Sequence, residues 1–167
     1  RQSQLSEVIE DTLGLVREMA RCRGITIEPM IGEVATQVAV AREVLRQILL
    51  GTLSYLIERM DDGGAITIAV RESGDGVTVV SEVEGSRRGR SSDAAHLEGL
   101  SVLNELAAVQ RCVLLPLMDR AGIVGFSLTL PLMERRVVLV VDDNDDVLQL
   151  FRGYLTQHDF QVVTARM

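Results

Sequence analysis

The segment from Leu45 to Met60 constrains the fold of this chain more than any other part of the sequence. Its apolar residues recur at intervals of three and four, which places them in one continuous stripe along a helix. The stripe consists of Leu45, Ile48, Leu49, Thr52, Leu53, Leu56 and Ile57. The opposite face carries Gln47, Gly51, Tyr55 and Glu58. The spacing predicts a helix that packs one face against a core.

Length and composition limit the class of protein. The chain has 167 residues, which is enough for one core of ordinary size or for a domain of about 130 residues and a fragment. The second division fits the pattern better. Hydrophobic residues make up 47% and charged residues 25% of the chain, as is typical of a soluble globular protein. No stretch approaches the roughly 20 apolar residues of a membrane span, and the net charge of -7 argues against nucleic-acid binding.

Cys22 and Cys112 lie far apart in the sequence, each within or beside an apolar run. This placement predicts two buried free thiols in a reducing compartment, with a disulfide as the alternative. The chain begins with neither an initiator methionine nor a signal-peptide pattern. We therefore expect it to be a piece of a longer protein.

Helical and alternating hydrophobic patterns follow one another in the order α-β-α-β-β-α-β-β. The predicted helices cover about 5–22, 45–60 and 100–107, and the predicted strands cover about 25–31, 66–70, 77–83, 112–118 and 123–130. A polar loop, 85–95, precedes the third helix. This order predicts an α/β fold, a two-layer α/β sandwich in which helices cover one face of a mixed sheet.

Several strings within about residues 4–132 together resemble the ATPase domain of sensor histidine kinases, which has the Bergerat-type fold. LSEVIEDTLGLVREMARCRGITIE is similar to the first helix and strand of that family, and LRQILLGTLSYLIERM is similar to its pocket helix, L-R-Q-V-L-x-N-L-x-x-N-A. The hairpin ITIAV and VTVVSEVEG resembles the strands that lead into the D-x-G-x-G motif, and GIVGFSLTLPL resembles the closing strand. The resemblance implies cytoplasmic two-component signalling, with ATP and magnesium as the cofactors of the family.

The pocket helix departs from the family at both asparagines, which here are Gly51 and Tyr55. The resemblance implies that the second asparagine ligates the magnesium ion on the nucleotide phosphates, a role that suits a small amide oxygen. A neutral phenol is a poor substitute for that ligand, and we expect the ring of Tyr55 to fill the space.

The other pocket motifs also depart from the family. Alignment of the hairpin puts Val83 where the family has the aspartate that binds the adenine amino group, and Gly85 where the first glycine follows. Valine accepts no hydrogen bond, and an unpaired buried polar group costs about 1–3 kcal/mol. Of the lid motif G-x-G-L-G, Gly99 is the one glycine that remains, and Glu98 adds a negative charge beside it. These changes predict that the domain keeps the fold and binds no ATP.

Three further features are candidate sites with simpler alternatives. Arg87, Arg88 and Arg90 could bind an anion, although a solvated loop is the usual reading of such a run. His96 in the lid remnant could act as a base, but no nucleophile or ligand cluster accompanies it. His158 is followed by an acidic residue, as in a phosphoacceptor, but its position between a helix and a strand predicts a surface histidine.

Residues 136–165 resemble the start of a response-regulator receiver domain. RVVLVV predicts a buried parallel strand, an amphipathic helix carries Val147, Leu150, Phe151 and Leu155, and a second strand, FQVVTA, follows. The resemblance implies that Asp142 and Asp143 hold magnesium in part, in a metal site that is incomplete here; a pair that caps the helix is the alternative. We expect this fragment to dock on the preceding sheet or to form a homodimer.

These observations predict a hybrid sensor kinase fragment with two parts, a degenerate ATPase-like domain over 1–132 and a truncated receiver over 136–167. The expected function is protein interaction or signal relay with partners of a two-component pathway, with no catalytic residues and no cofactor. A divergent domain that still binds ATP and magnesium in a phosphorelay is the first alternative. The second alternative is an anti-sigma-type binding module, which the receiver resemblance disfavours.

Overall fold

A computed structural model describes the chain except for residues 1–2, 33–36, 74–75, 86–93, 121, 134–135, 157–159 and 167. The chain divides into two compact units, Arg1–Leu132 and Met133–Met167. The first unit contains a two-stranded and a five-stranded sheet, and the second contains a two-stranded sheet. The units are described separately below.

The first unit contains three helices and seven strands among its described residues. The helices are α1 (Leu5–Arg21), α2 (Arg42–Arg59) and α3 (Ala94–Val109). The strands are β1 (Ser3–Gln4), β2 (Thr26–Met30), β3 (Gln37–Val38), β4 (Ala65–Ser73), β5 (Gly76–Glu84), β6 (Val113–Asp119) and β7 (Gly122–Pro131). The short strands β1 and β3 pair with each other and are additions to the order that the sequence predicted.

Five strands form one mixed sheet in the order β2-β4-β5-β7-β6. Strand β2 runs parallel to β4, and the remaining pairs are antiparallel. Both edge strands contain a proline, Pro29 in β2 and Pro116 in β6. Proline has no backbone N–H, and within sheets it is found mainly on edge strands. The predicted two-layer sandwich with a mixed sheet is confirmed.

The core lies between one face of this sheet and the helices. The side chains on that face are buried, because alternate residues of each strand point the same way. They are Ile66, Ile68, Val77, Val79, Ser81, Leu114, Phe126, Leu128 and Leu130. The stripe predicted on the central helix is buried along its whole length, and α2 packs between α1 and α3.

The end of α2 is fixed by a side chain from another part of the chain. Arg23, in the turn after α1, donates hydrogen bonds to the carbonyl oxygens of Ile57 (2.5 Å) and Met60 (2.6 Å). Carbonyls at a helix C-terminus have no partner within the helix, and a cation there also interacts favourably with the helix dipole. Arg23 therefore ties the start of the sheet to the end of the pocket helix.

The second unit is a single β-α-β arrangement: β8 (Arg136–Val141), α4 (Asp145–Thr156) and β9 (Phe160–Ala165). Strands β8 and β9 are parallel, as the sequence predicts. The expectation that the first strand is buried is wrong, because Val137 and Leu139 are each 60% exposed. Helix α4 covers one face of a two-stranded sheet, and Leu148 is the buried hydrophobic residue of the described part of this unit.

The two cysteines differ. Cys112 is buried as predicted, whereas Cys22 is exposed, and both are free thiols. Cys22 is the residue directly after α1, and its side chain is exposed to solvent at the end of the helix. The expected burial of Cys22 is therefore wrong, since the apolar run beside it belongs to the other face of α1.

Candidate functional site

The two positions at which the resembled family has asparagine, Gly51 and Tyr55, lie one turn apart on one side of α2. Leu103 of α3 approaches Gly51 so closely that a Cβ atom added to the glycine would lie 2.8 Å from each of its two methyl carbons. Carbon atoms pack best at about 3.5–4.0 Å. Helix α3 therefore packs directly on α2 at a position where the helix has no side chain.

The side chain of Tyr55 packs onto the sheet. Its ring meets Phe126 of β7 edge to face, with centroids 5.6 Å apart and planes at 80°. The guanidinium carbon of Arg59 lies 5.0 Å from the centre of the Tyr55 ring, which is a cation–π distance. Edge-to-face aromatic pairs contribute about 0.5–1.5 kcal/mol beyond the area that they bury. The ring is thus held from two sides.

Val83 lies near the end of β5, where it pairs with Ile66 of β4. Its side chain is partly buried and packs against the core. An alkyl group in this position contributes to packing and offers no hydrogen-bond acceptor. The residue at the candidate adenine position is therefore an apolar side chain that packs against the core.

Gly85 has a φ of 127°, a backbone conformation that residues other than glycine rarely adopt. It also lies against Gly64, whose Cα would be 3.3 Å from a Cβ added to Gly85. The positive φ and the close approach of Gly64 account for this glycine without a nucleotide.

The lid remnant, residues 95–99, lies inside α3, which begins at Ala94. The predicted loop over 85–95 is therefore wrong for its last two residues, and residues 86–93 lie outside the described part. Gly99 is exposed, and a Cβ added to it would meet no atom within 4 Å. Within a helix the N–H of Gly99 is directed at the carbonyl four residues earlier, whereas a phosphate-binding loop presents free N–H groups.

Some of the sequence candidates lie where their side chains are not described. Arg87, Arg88 and Arg90 fall in 86–93, and His158 falls in 157–159. The backbone of His96 is part of α3, but its side chain is outside the described set. The anion-binding loop and the two histidine hypotheses stay predictions.

Asp142 and Asp143 follow the carboxyl end of β8, as the sequence predicts. The backbone N–H of Asn144 donates a hydrogen bond to Oδ1 of Asp142 at 2.8 Å. The backbone N–H of Asp146 donates one to Oδ1 of Asn144 at 2.9 Å. These bonds shape the turn that starts α4. Across the described residues no group of three or more His, Cys, Asp or Glu side chains is placed to hold a metal ion, and metal binding by the pair stays a prediction.

The buried thiol is chemically quiet. Burial raises the pKa of Cys112 to about 11, because a thiolate is poorly solvated in an apolar site. A thiol with this pKa is protonated near neutral pH and is a weak nucleophile.

Three residues that shape the site could not be found from the sequence. Leu103 lies in the predicted third helix and Phe126 in the predicted last strand, but no role in the site was predicted for either residue or for Arg59. The contacts of these three residues depend on the register of β7 and on the crossing of α2 with α3. The alternation of β7 does put Phe126 on the helix-covered face, which is the one available signal.

No protein-family model matches the chain, and no curated protein matches it. Several solved structures are similar to it. The nucleotide-free catalytic domain of histidine kinase ThkA superposes with a TM-score of 0.67 at 19% identity, over 78% of this chain and 94% of that one. The mycobacterial sensor histidine kinase MprB gives a TM-score of 0.60 at 17% identity, over 79% of this chain and 97% of that one.

Full-length ShkA, solved in complex with AMPPNP, matches along almost the whole chain. The TM-score is 0.63 at 16% identity, and the match covers 99% of this chain and 40% of ShkA. At these identities the comparisons establish the fold, which is that of the histidine-kinase ATPase domain. Among the helices that the structure describes, none combines the length and hydropathy that a bilayer span requires.

Proposed function

We propose that Arg1–Leu132 is a degenerate histidine-kinase ATPase-like domain that binds no nucleotide and acts as a protein-interaction or signal-relay module in two-component signalling. The observation that carries this proposal is the packing of Tyr55 against Phe126 and Arg59. A phenol ring in edge-to-face contact with the sheet occupies the position of the magnesium ligand. Moving the Tyr55 ring away would break both the aromatic pair with Phe126 and the cation–π interaction with Arg59.

The contact between Gly51 and Leu103 supports the proposal from a second direction. The resembled family has an asparagine at this position. Here the methyl groups of Leu103 occupy the space where even a Cβ atom would lie. An asparagine at position 51 would force the side chain of Leu103 to move, whereas the glycine allows Leu103 to pack directly on α2.

The residues at the expected adenine and phosphate positions also argue against nucleotide binding. Val83 presents an alkyl group where a hydrogen-bond acceptor is needed, so a bound adenine would lose one partner at a cost of about 1–3 kcal/mol. Glu98 and Gly99 belong to a helix, and Glu98 brings a negative charge close to the expected phosphates. ATP and magnesium therefore do not fit the described residues, and the domain works without a cofactor.

The expected partners are proteins of a two-component pathway, in the cytoplasm. A domain that has lost its ligand can still present the surface of its fold to partners, and function resides in such surfaces rather than in the fold itself. The net charge of -7 argues against nucleic acid as a partner.

The second unit, Met133–Met167, is proposed to be a receiver-like fragment of a hybrid kinase. The likeness to full-length ShkA, which covers 99% of this chain, supports this assignment. Asp142 and Asp143 would form its acidic pair, as part of a magnesium site. Exposed Val137 and Leu139 support pairing of this unit with a second copy of the chain, since an uncovered apolar strand favours association.

Calorimetric titration of the whole chain with ATP and with AMPPNP, each with and without magnesium, tests the proposal. We expect no binding heat at millimolar nucleotide. ShkA, whose structure holds AMPPNP, serves as the positive control under identical conditions. Tight magnesium-dependent binding would defeat the proposal in favour of the alternative, a divergent ATP-binding kinase domain in a phosphorelay.

A pair of variants localises the effect. Tyr55→Phe keeps the ring and should bind no nucleotide, like the unchanged chain. The triple variant Tyr55→Asn, Val83→Asp, Gly51→Ala restores a ligand and an acceptor and displaces Leu103 slightly. A measurable affinity in the triple variant alone would attribute the loss to these three positions.

A further inference from the structure

A small cavity lies between α1, α2 and the sheet of the first unit, away from the positions discussed above. Five of its lining residues are aliphatic: Ile9, Leu49, Leu53, Ile68 and Val79. The other three carry hydroxyl groups, and they are Thr12 of α1, Thr52 of α2 and Ser81 of β5. These three are the buried polar residues of the described chain, and all of them face one cavity.

Ser81 is the unusual member of this set. It is 6% exposed, and its hydroxyl makes no hydrogen bond to any other residue in the part of the chain that the structure describes. Buried polar side chains in folded proteins almost always have a partner, which is either a protein group or an ordered water molecule. A partner for Ser81 has to come from the space in front of it.

The two threonines use their protons within their own helices. Thr12 donates to the carbonyl oxygen of Val8 at 2.7 Å, and Thr52 donates to that of Ile48 at 3.0 Å. Each hydroxyl oxygen also has two lone pairs, which these bonds leave available as acceptors. The cavity is therefore lined by two acceptors and by one group, Ser81, that can both donate and accept.

The size and polarity of the cavity select the ligand. Its volume is about 10 Å³, which matches the minimum of roughly 10–15 Å³ that one water molecule needs. No charged side chain lines it, so an ion would be left without a counter-charge. A buried water molecule typically makes about three hydrogen bonds, and three hydroxyl groups are available.

We propose that this cavity is a binding site for one ordered water molecule, which accepts a hydrogen bond from Ser81 and donates to Thr12 and Thr52. The water joins two helices to the central strand of the sheet through groups that do not reach one another. This inference is independent of the proposed function, since none of the eight lining residues belongs to the candidate nucleotide site.

A crystal structure of the whole chain at better than about 1.8 Å resolution tests the inference, because single buried waters are visible there. We expect density for one water within about 3.2 Å of Ser81 Oγ and of at least one threonine oxygen. Density that instead shows Ser81 Oγ bonded to a protein carbonyl, with no water in the cavity, would overturn it.

Solution measurements on matched variants give an independent check. Water-selective NOE spectra of the unchanged chain should contain cross-peaks from a long-lived water to the amides of residues 12, 52 and 81. Ser81→Val fills the cavity and should abolish them, whereas Ser127→Ala, on the opposite face of the same sheet, should leave them intact. Absence of these cross-peaks from the unchanged chain, or their persistence in Ser81→Val, contradicts the proposal.

Discussion

The two units of this chain contain similar apolar strands but bury them to very different extents. In Arg1–Leu132, helices cover one face of a five-stranded sheet, and β4, β5 and β7 contribute fully buried side chains. In Met133–Met167, one helix lies on a two-stranded sheet, and the described part buries Leu148 alone among its hydrophobic residues. A strand becomes a core strand only when other elements cover it, and the described part of the second unit places one helix against two strands.

The contrast is clearest in β8. Its sequence, RVVLVV, has the apolar composition of a strand that is buried on both faces in a parallel sheet. One face is turned away from α4, and Val137, Leu139 and Val141 on that face are exposed. Small units bury a small fraction of their surface and are marginally stable as a result.

Separating the two units should produce the largest difference. We expect a chain of residues 1–132 to unfold cooperatively in urea, and a chain of residues 133–167 to show no cooperative transition, because two strands and one helix enclose too little apolar surface. Circular dichroism during urea titration measures both. A sigmoidal transition in the short chain would show that residues 133–167 fold stably although one face of β8 is exposed.

Truncating one buried leucine in each unit sharpens the comparison. Leu56→Ala in α2 should lower the free energy of unfolding by about 2–5 kcal/mol, because the surrounding core cannot close the cavity. Leu148→Ala in α4 should cost less than about 2 kcal/mol, because fewer neighbours surround it and water can fill the gap. Urea denaturation of the whole chain compares them, and equal losses would contradict the difference in packing.

Two glycines give a test with opposite signs. A Cβ atom on Gly125 of β7 would lie 2.2 Å from the backbone oxygen of Ser81, so Gly125→Ala should destabilise the first unit by about 3 kcal/mol through overpacking. A Cβ on Gly153 of α4 meets no atom within 4 Å. Gly153→Ala should therefore stabilise the helix by about 1 kcal/mol. Thermal unfolding followed by circular dichroism reports both signs, and a neutral Gly125→Ala would mean that the strands can separate there.

The cysteines provide the smallest effect. Cys22 should react with a disulfide reagent within seconds to minutes, whereas Cys112 should react only on unfolding, since it is buried and its pKa is raised. Because burial raises the folded-state pKa of Cys112 from 9.0 to about 11, its contribution to stability is complete below pH 9 and is lost as the pH rises through about 11.

Cys112→Ala is the control for this pH dependence. The difference in free energy of unfolding between the unchanged chain and Cys112→Ala, measured from pH 8 to pH 11, isolates the thiol from the tyrosines. A difference that is constant over this range would show that the thiol ionises normally.

Patterns that repeat within one element were predictable from the sequence. The buried stripe of α2 and the hairpin of β4 and β5 follow directly from spacing, since each needs only neighbours in sequence. The strands β1 and β3 are two residues long and carry no periodic signal, so they were missed.

The candidate site was less predictable, because its contacts join distant residues. The substitutions Gly51 and Tyr55 were evident from the family resemblance. The structure adds the packing of Tyr55 on Phe126, and the expectation that the ring fills the space of a metal ligand stays a prediction. The contact of Leu103 with Gly51 depends on how two helices cross, which spacing within either helix does not determine. The exposure of Cys22 likewise depends on which side of a helix end meets solvent.

Pro29 and Pro116, at the two borders of the five-stranded sheet, bear on how this molecule behaves when crowded. A further chain that tries to lengthen the sheet meets, on either side, a residue that cannot donate to it. Strands β8 and β9 contain no proline. Growth of ribbons or fibres from the first unit is therefore obstructed, and intermolecular addition should begin at the second.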